Sequence, residues 1–161
     1  MYESNRFSGL TKTQTVIISY WRSKCLGAQL PKREDIDPGV LRSHLSAISI
    51  VEIEPAGDIR FRLAGSEVRA VFGQEMRGRS LQEFKGPVAD MWALGLTAVQ
   101  DKSAPVGGLI KRVNDCHAWL RLPLQAANGK GLVLCHDMLL SNLHVDGDNS
   151  DLSNKVHVLA A

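Results

Sequence analysis

Between Ala47 and Gly73 the chain reads AISIVEIEPAGDIRFRLAGSEVRAVFG, where apolar positions recur first every second residue and then every third or fourth. Ser49, Val51 and Ile53 fall on one side of an extended segment, with Ile50, Glu52 and Glu54 on the other. After a break, Ile59, Phe61 and Leu63 alternate with Arg60 and Arg62. A three-residue loop of Pro55, Ala56 and a left-handed Gly57 would align the two patterns, setting Ile53 opposite Ile59, Glu52 opposite Arg60 and Val51 opposite Phe61. A slip by one residue sets apolar side chains against charged ones, so the pattern predicts a single register. Gly65-Ser66 then turns the chain into a short helix carrying Val68, Val71 and Phe72, with Ser66 as its cap and Gly73 as its stop.

Upstream, Thr11 is placed to cap a helix reaching about Leu26, in which Ile17, Tyr20 and Trp21 form an apolar stripe flanked by Ile18 and Cys25. A connector over 28–36 follows. Asp37-Pro38 has the residues of a helix start, with Val40, Leu41 and Leu45 as its core face. Ser80 and Glu83 have the spacing of a capping box. Over 87–102, Val88, Met91, Trp92, Leu96 and Val99 recur at intervals of three and four, which predicts one long helix. Three strands are then expected, over 106–113, 116–124 and 131–140, with turns at Asn114-Asp115 and Asn128-Gly129. Pro123 cannot donate a ladder bond, so an edge or bulge is expected there. Residues 1–10 and the tail over 141–161, which contains DGDNSD, lack a sustained period and are expected to be flexible. The element order predicts an α+β fold, one antiparallel sheet with helices gathered on one face.

Composition narrows the function classes. A hydrophobic fraction of 44% and a charged fraction of 22% suit a globular protein with its own core. A net charge of +2, from 19 basic and 17 acidic residues, gives no broad field for nucleic acid, so no nucleic-acid partner is expected. No apolar run is long enough to span a bilayer, and the N-terminal MYESNRFSGLTKTQ lacks the apolar centre of a secretory signal. No membrane association is expected, and a cytoplasmic location is. Cys25, Cys116 and Cys135 are widely spaced, with no CxxC pair, and are expected to be reduced core residues.

The element order and several local sequences resemble the PAS domain superfamily, especially the short stand-alone PAS proteins of alphaproteobacteria. The likeness is carried by YWRSKCLGAQLPKREDIDP at 20–38, FRLAGSEVRAVFGQEMRGRSL at 61–81 and RLPLQAANGKG at 121–131, the middle segment being the most specific. The resemblance implies a helical cap and connector over 11–36 and a core over 37–140. That core would be a five-stranded antiparallel sheet in order 2-1-5-4-3, with a cavity between sheet and helices. It points to Leu63, Phe72, Met76, Leu81, Phe84, Met91, Trp92, Leu109, Leu120 and Met138 as cavity walls, which could equally be plain core. In many such proteins an N-terminal helix packs on the opposite face, often within a dimer. Flavin-binding light sensors of the family carry a reactive cysteine in an Asn-Cys-Arg-Phe-Leu-Gln-like helix, and no cysteine here has that setting. Haem-binding members usually supply a histidine from the long helix, and 87–102 has none. Neither cofactor is expected.

The five histidines show no metal-ligand spacing. Cys135, His136 and Asp137 are adjacent, but neighbours along a strand point to opposite faces, so Cys135 is expected buried and His136 exposed. Gly73 and Gly78 lack the lysine of a phosphate loop. A two-residue turn at Asn114-Asp115 sets Leu109 opposite Leu120, Ile110 opposite Trp119 and Arg112 opposite His117. Placing Val51, Ile53, Ile59, Phe61, Leu63, Leu109, Leu120 and Leu122 towards the helices leaves Ile50, Ile110 and Trp119 outward, framed by Arg60, Arg62, Arg112 and Arg121. Such an apolar centre needs a cover. The stripe Ile17, Tyr20 and Trp21 would supply it, on its own sheet or on that of a homodimer partner. The resulting expectation is a non-enzymatic, single-domain sensory or regulatory protein acting on an unidentified signalling partner, with a small cavity ligand as a further input. The alternatives are a binding protein whose ligand is its whole purpose, and a small enzyme using Cys135 or His117.

Overall fold

The computed structural model describes residues 7–111, 113–141 and 159–160. Their strands, β1 (Ile48–Ile53), β2 (Ile59–Ala64), β3 (Val106–Lys111), β4 (Asp115–Ala127), β5 (Lys130–Ser141) and β6 (Leu159–Ala160), form one antiparallel sheet in the order β2-β1-β5-β4-β3-β6. The first five reproduce the expected order. β6 adds an edge by pairing with Val106 and Gly107.

The β1–β2 hairpin forms in the predicted register, with Ile53, Glu52 and Val51 opposite Ile59, Arg60 and Phe61. Its turn closes through Gly57 at φ 95° and a 2.8 Å bond from the Gly57 amide to the Glu54 carbonyl. Between Ile50 and Val51 the register shifts by one, so that Ile50 faces Leu63 while Val51 faces Phe61. This bulge turns Leu63 away from the face shared by Ile59 and Phe61 and seats it beside Leu41, Leu45, Ile48 and Ile50. Its assignment to the helix-side cavity is therefore corrected.

The β4–β5 turn sits at Asn128-Gly129 as expected, with φ 54° and 75°. The β3–β4 connection is longer than two residues: Leu109 pairs with Ala118 and Ile110 with His117, two residues from the expected register. Pro123 lies in β4 beyond Arg121, the last residue paired with β3, so its missing N–H falls at a local edge.

Thr11 caps α1 (Lys12–Lys24) by accepting from the Gln14 amide. Asp37-Pro38 starts a turn and not an α-helix. Asp37 accepts from the Gly39 amide, Val40 is exposed, and a 3-10 helix covers Arg42–Ala47. α2 (Ser66–Phe72) is capped by Gly65, one residue earlier than expected, and Gly73 ends it in the left-handed region. The capping box at Ser80 and Glu83 forms. The single helix expected over 87–102 is two, α3 (Pro87–Ala93) and α4 (Leu96–Lys102), parted at Leu94-Gly95. Gly95 has φ 74°, and a Cβ there would collide with the Trp119 ring. Only glycine lets the chain turn that tightly against the indole.

Both faces of the sheet are covered over its central strands. On the inner face, Val51, Phe61, Trp119, Val133 and Cys135 pack beneath Val68, Met76, Trp92 and Val99 of the helices and their connections. On the outer face, Ile17, Ile18 and Trp21 of α1 lie over Leu120, Leu122, Leu124, Leu132 and Leu134. Phe7, within the stretch expected to be flexible, is buried in the same cluster; residues 1–6, 142–158 and 161, and Arg112, expected opposite His117, lie outside the described residues.

Candidate functional site

Strand pairing fixes which face each residue joins. Val51 pairs with Val133, which pairs with Pro123, so the odd-numbered residues of β4 share the inner face with Val51. His117, Trp119 and Arg121 therefore lie beneath the helices, while Leu120 and Leu122 lie under α1. This reverses the faces expected for β3 and β4. Ile110 and Trp119 are inner residues, and Leu109 and Leu120 are outer ones. Their assignments as outward patch and cavity wall are corrected accordingly. Hydrophobicity suggested the opposite, because α1 needs a leucine surface as much as the inner helices do.

Asp137 of β5 is cross-strand from Trp119, which puts His117 and Arg121 on its two diagonals. Arg121 grips it with two donors, Nη1 to Oδ1 at 2.7 Å and Nη2 to Oδ2 at 3.0 Å. His117 Nε2–H donates to Oδ2 at 2.8 Å. All three side chains are shut off from solvent. Arg121 also donates to its neighbour, Nη1 to the Leu120 carbonyl at 2.9 Å, and to the backbone where α3 ends, Nε to the Leu94 carbonyl at 3.0 Å and Nη2 to the Trp92 carbonyl at 3.2 Å. Carbonyls at a helix C-terminus lack intrahelical donors, and a guanidinium is well shaped to supply several at once. Trp92 stacks on His117 with centroids 5.4 Å apart, and the guanidinium lies 5.5 Å from the Trp119 ring centre.

Burial on its own would raise the Asp137 carboxyl; the Arg121 charge and the His117 hydrogen bond outweigh it and hold the group below its ordinary value. Burial likewise opposes the charge on Arg121, and the Asp137 carboxylate more than restores it. Cys135, two residues from Asp137 on the same face, is pushed up to about 11 by burial, so it stays a thiol at neutral pH. His136 points the other way and is buried, correcting the expected exposure. Burial pushes it down to about 4, with Asp137 pulling against that shift.

Of the expected cavity residues, Phe72, Met76, Leu81, Phe84 and Trp92 do gather on the inner face. Phe72 meets the rings of Phe61, Phe84 and Trp92 edge-on at 5.1 to 5.9 Å. Met91 is buried on α3 outside that cluster. The space beside these residues is a cavity of about 240 Å³ between α2, α3 and β5, bordered by Val68, Val71, Trp92, Asp137 and Leu139. Trp92 is buried, yet its Nε1–H has no partner among the described residues. Of the ten expected wall residues, only Trp92 and Met138 border this cavity. Among the interface residues, Ile17, Tyr20 and Trp21 lie on this chain's own sheet, with Trp21 Nε1 donating to the Pro123 carbonyl at 2.8 Å. Ile50 is an outer-face residue, as expected.

The sequence reading missed the Arg121, Asp137 and His117 cluster. Its signal was present: opposite charges on adjoining strands, and a glycine interrupting the helix packed over them. A five-stranded antiparallel sheet with helices packed on one face, a cap on the other and a small, partly open cavity beside the helices is the architecture of a sensory or regulatory module. A family model of the PAS domain matches residues 10–149, and the chain belongs to that family. Searches of curated proteins and of solved structures returned no match. No described helix is long and apolar enough to cross a membrane, and no group of three or more metal-ligating side chains occurs among the described residues.

Proposed function

We propose that this PAS-domain protein is a non-enzymatic regulator whose inner cavity takes a small ligand and whose surface hands the resulting state to another protein in the cytoplasm. The observation that carries the reading is the cavity between α2, α3 and β5, lined by Trp92, whose buried N–H has no partner among the described residues, and by Asp137 of the buried cluster. A buried donor without a partner costs about 1–3 kcal/mol, which a ligand acceptor would recover. Against an enzyme stand the elevated pKa of Cys135 and the burial of His117 beneath Trp92. The stripe of α1 is already covered by its own sheet, so a homodimer built on that stripe is the weaker form of the reading.

Native mass spectrometry and thermal shifts against compounds of about fifteen heavy atoms or fewer test it. A ligand at about a hundred times its Kd adds about 2.7 kcal/mol, which for a domain of this size is a rise of roughly 5–10 °C. Val71→Trp, which fills the cavity, should remove that rise while leaving the fold intact. A retained mass or a shift that survives Val71→Trp would place the ligand elsewhere and sink the reading.

A further inference from the structure

The outer face of the sheet is only partly covered. α1 lies over β4 and β5, while beside it the chain at 32–36 passes over β1 and β2 and leaves two adjoining hollows that share Arg33 and Glu34. One is apolar, about 190 Å³, and is floored by Ile48, Ile50, Leu63 and Leu134. The other is larger, about 560 Å³, and its charged lining is Lys32, Arg33, Arg62 and Arg77 against Glu34 and Glu52. Glu52 is already neutralised. Arg62 lies 2.6 Å from it and Lys130 3.6 Å, and the Arg62 hydrogen bond holds its carboxyl below the ordinary value.

The two guanidiniums on the rim are different. Arg33 stands on the crossing segment and Arg77 on the turn beyond α2; both are exposed, and neither has an ion-pair partner among the described residues. Lys32, Arg33 and Arg77, none ion-paired among the described residues, face one unpaired carboxylate, Glu34, around a cleft whose floor charge is spent; the positive balance suits carboxylates arriving from outside. An apolar hollow alongside supplies the anchor that charge alone lacks.

From this arrangement we infer that the cleft is the docking surface for an acidic, leucine-bearing peptide segment of a partner protein. Its carboxylates would lie on Arg33 and Arg77, and a leucine would enter the hollow over Ile50 and Leu63. The inference rests on the regulatory reading above and names the surface through which the signal leaves.

Fluorescence anisotropy on the full chain tests it with three labelled peptides of about twelve residues. One has leucines spaced among aspartates and glutamates, one has lysines replacing the acids, and one has alanines replacing the leucines. The acidic leucine peptide should bind at least about tenfold more tightly than either control and weaken as salt rises, since exposed pairs are screened. Arg33→Glu with Arg77→Glu should abolish the preference without moving the thermal midpoint, and Lys102→Glu with Lys111→Glu, on exposed sites of α4 and β3, should leave it intact. Equal binding of acidic and basic peptides, or an unchanged preference in the Arg33/Arg77 variant, overturns the inference. So does sedimentation showing a dimer that this variant dissolves, because the occupant is then a second copy. A cavity-ligand shift that persists alongside any of these failures leaves the sensory reading standing and removes only this surface.

Discussion

Replacing Asp137 with asparagine leaves the side-chain volume nearly unchanged and removes the carboxylate that holds Arg121 at 2.7 and 3.0 Å. Arg121 would then be a fully buried cation facing a neutral amide, and it cannot shed its proton to escape. Breaking a buried pair from one side costs about 3–5 kcal/mol. At about 2–4 °C per kcal/mol for a chain of this length, the midpoint should fall by roughly 6–20 °C. Arg121→Met loses the same pair and also strips donors from the Leu94 and Trp92 carbonyls, a further cost of about 1–3 kcal/mol. Combining Arg121→Met with Asp137→Asn removes both charges, so the double variant should be more stable than the sum of the single losses by about 2 kcal/mol or more. Urea unfolding of the four proteins closes the cycle, and additivity within about 0.5 kcal/mol would refute the coupling. Acid gives an independent check. The folded Asp137 carboxyl lies below its unfolded value, so its stabilisation is complete above about pH 4 and fades as pH falls through the folded pKa. The gap between wild type and Asp137→Asn should narrow in that range and stay constant above it.

His136 gives a loss of stability in the same direction, on falling pH, but in a higher window. The unfolded imidazole takes a proton near pH 6.5 and the folded one near 4, so stability is full above pH 6.5 and declines by about 3 kcal/mol towards pH 4. His136→Leu should flatten that segment of the pH–stability curve; an unchanged slope would mean that another group titrates there. Gly95→Ala should cost several times more than Gly73→Ala. Both backbones are left-handed, but only at Gly95 would the new Cβ collide with Trp119, whereas nothing lies within 4 Å at Gly73. The Gly73 change isolates the conformational cost of about 1–2 kcal/mol, and equal losses in urea midpoint would contradict the close approach.

Local rules were legible where local chemistry decided the outcome. The Gly57 turn, the Asn128-Gly129 turn, the Thr11 cap and the capping box at Ser80 each depend on a few neighbouring residues, and each formed as read. The same logic failed at Asp37-Pro38, whose side chain closed a tight turn onto Gly39 in place of an α-helix. It failed again over 87–102, where the apolar period continues through Leu94-Gly95 although the helix does not. Periodicity reports which residues face a core; it carries no information about a tryptophan from a distant strand pressing on one glycine. Leu63 was lost to a bulge, which leaves no mark in the alternation of Ile59, Phe61 and Leu63.

The reversed faces of β4 have a more general cause, and it also explains why the buried cluster stayed hidden. A strand with one wet face announces its inside by where its leucines lie. In β4 both faces are buried, so Leu120 and Leu122 mark only the face that meets α1, and the opposite face is free to be polar provided that it is fully paired. Arg121 meets that condition by taking partners from β5 and from the end of α3 together, which no single segment of sequence reveals. The same pairing joins the break between α3 and α4, the Trp92 wall of the cavity and the two central strands through one guanidinium. A ligand that shifts the α3 backbone at Trp92 must therefore either carry Arg121 with it or break its bond to the Trp92 carbonyl, and in both cases the disturbance enters β4 and β5, whose outer faces support α1.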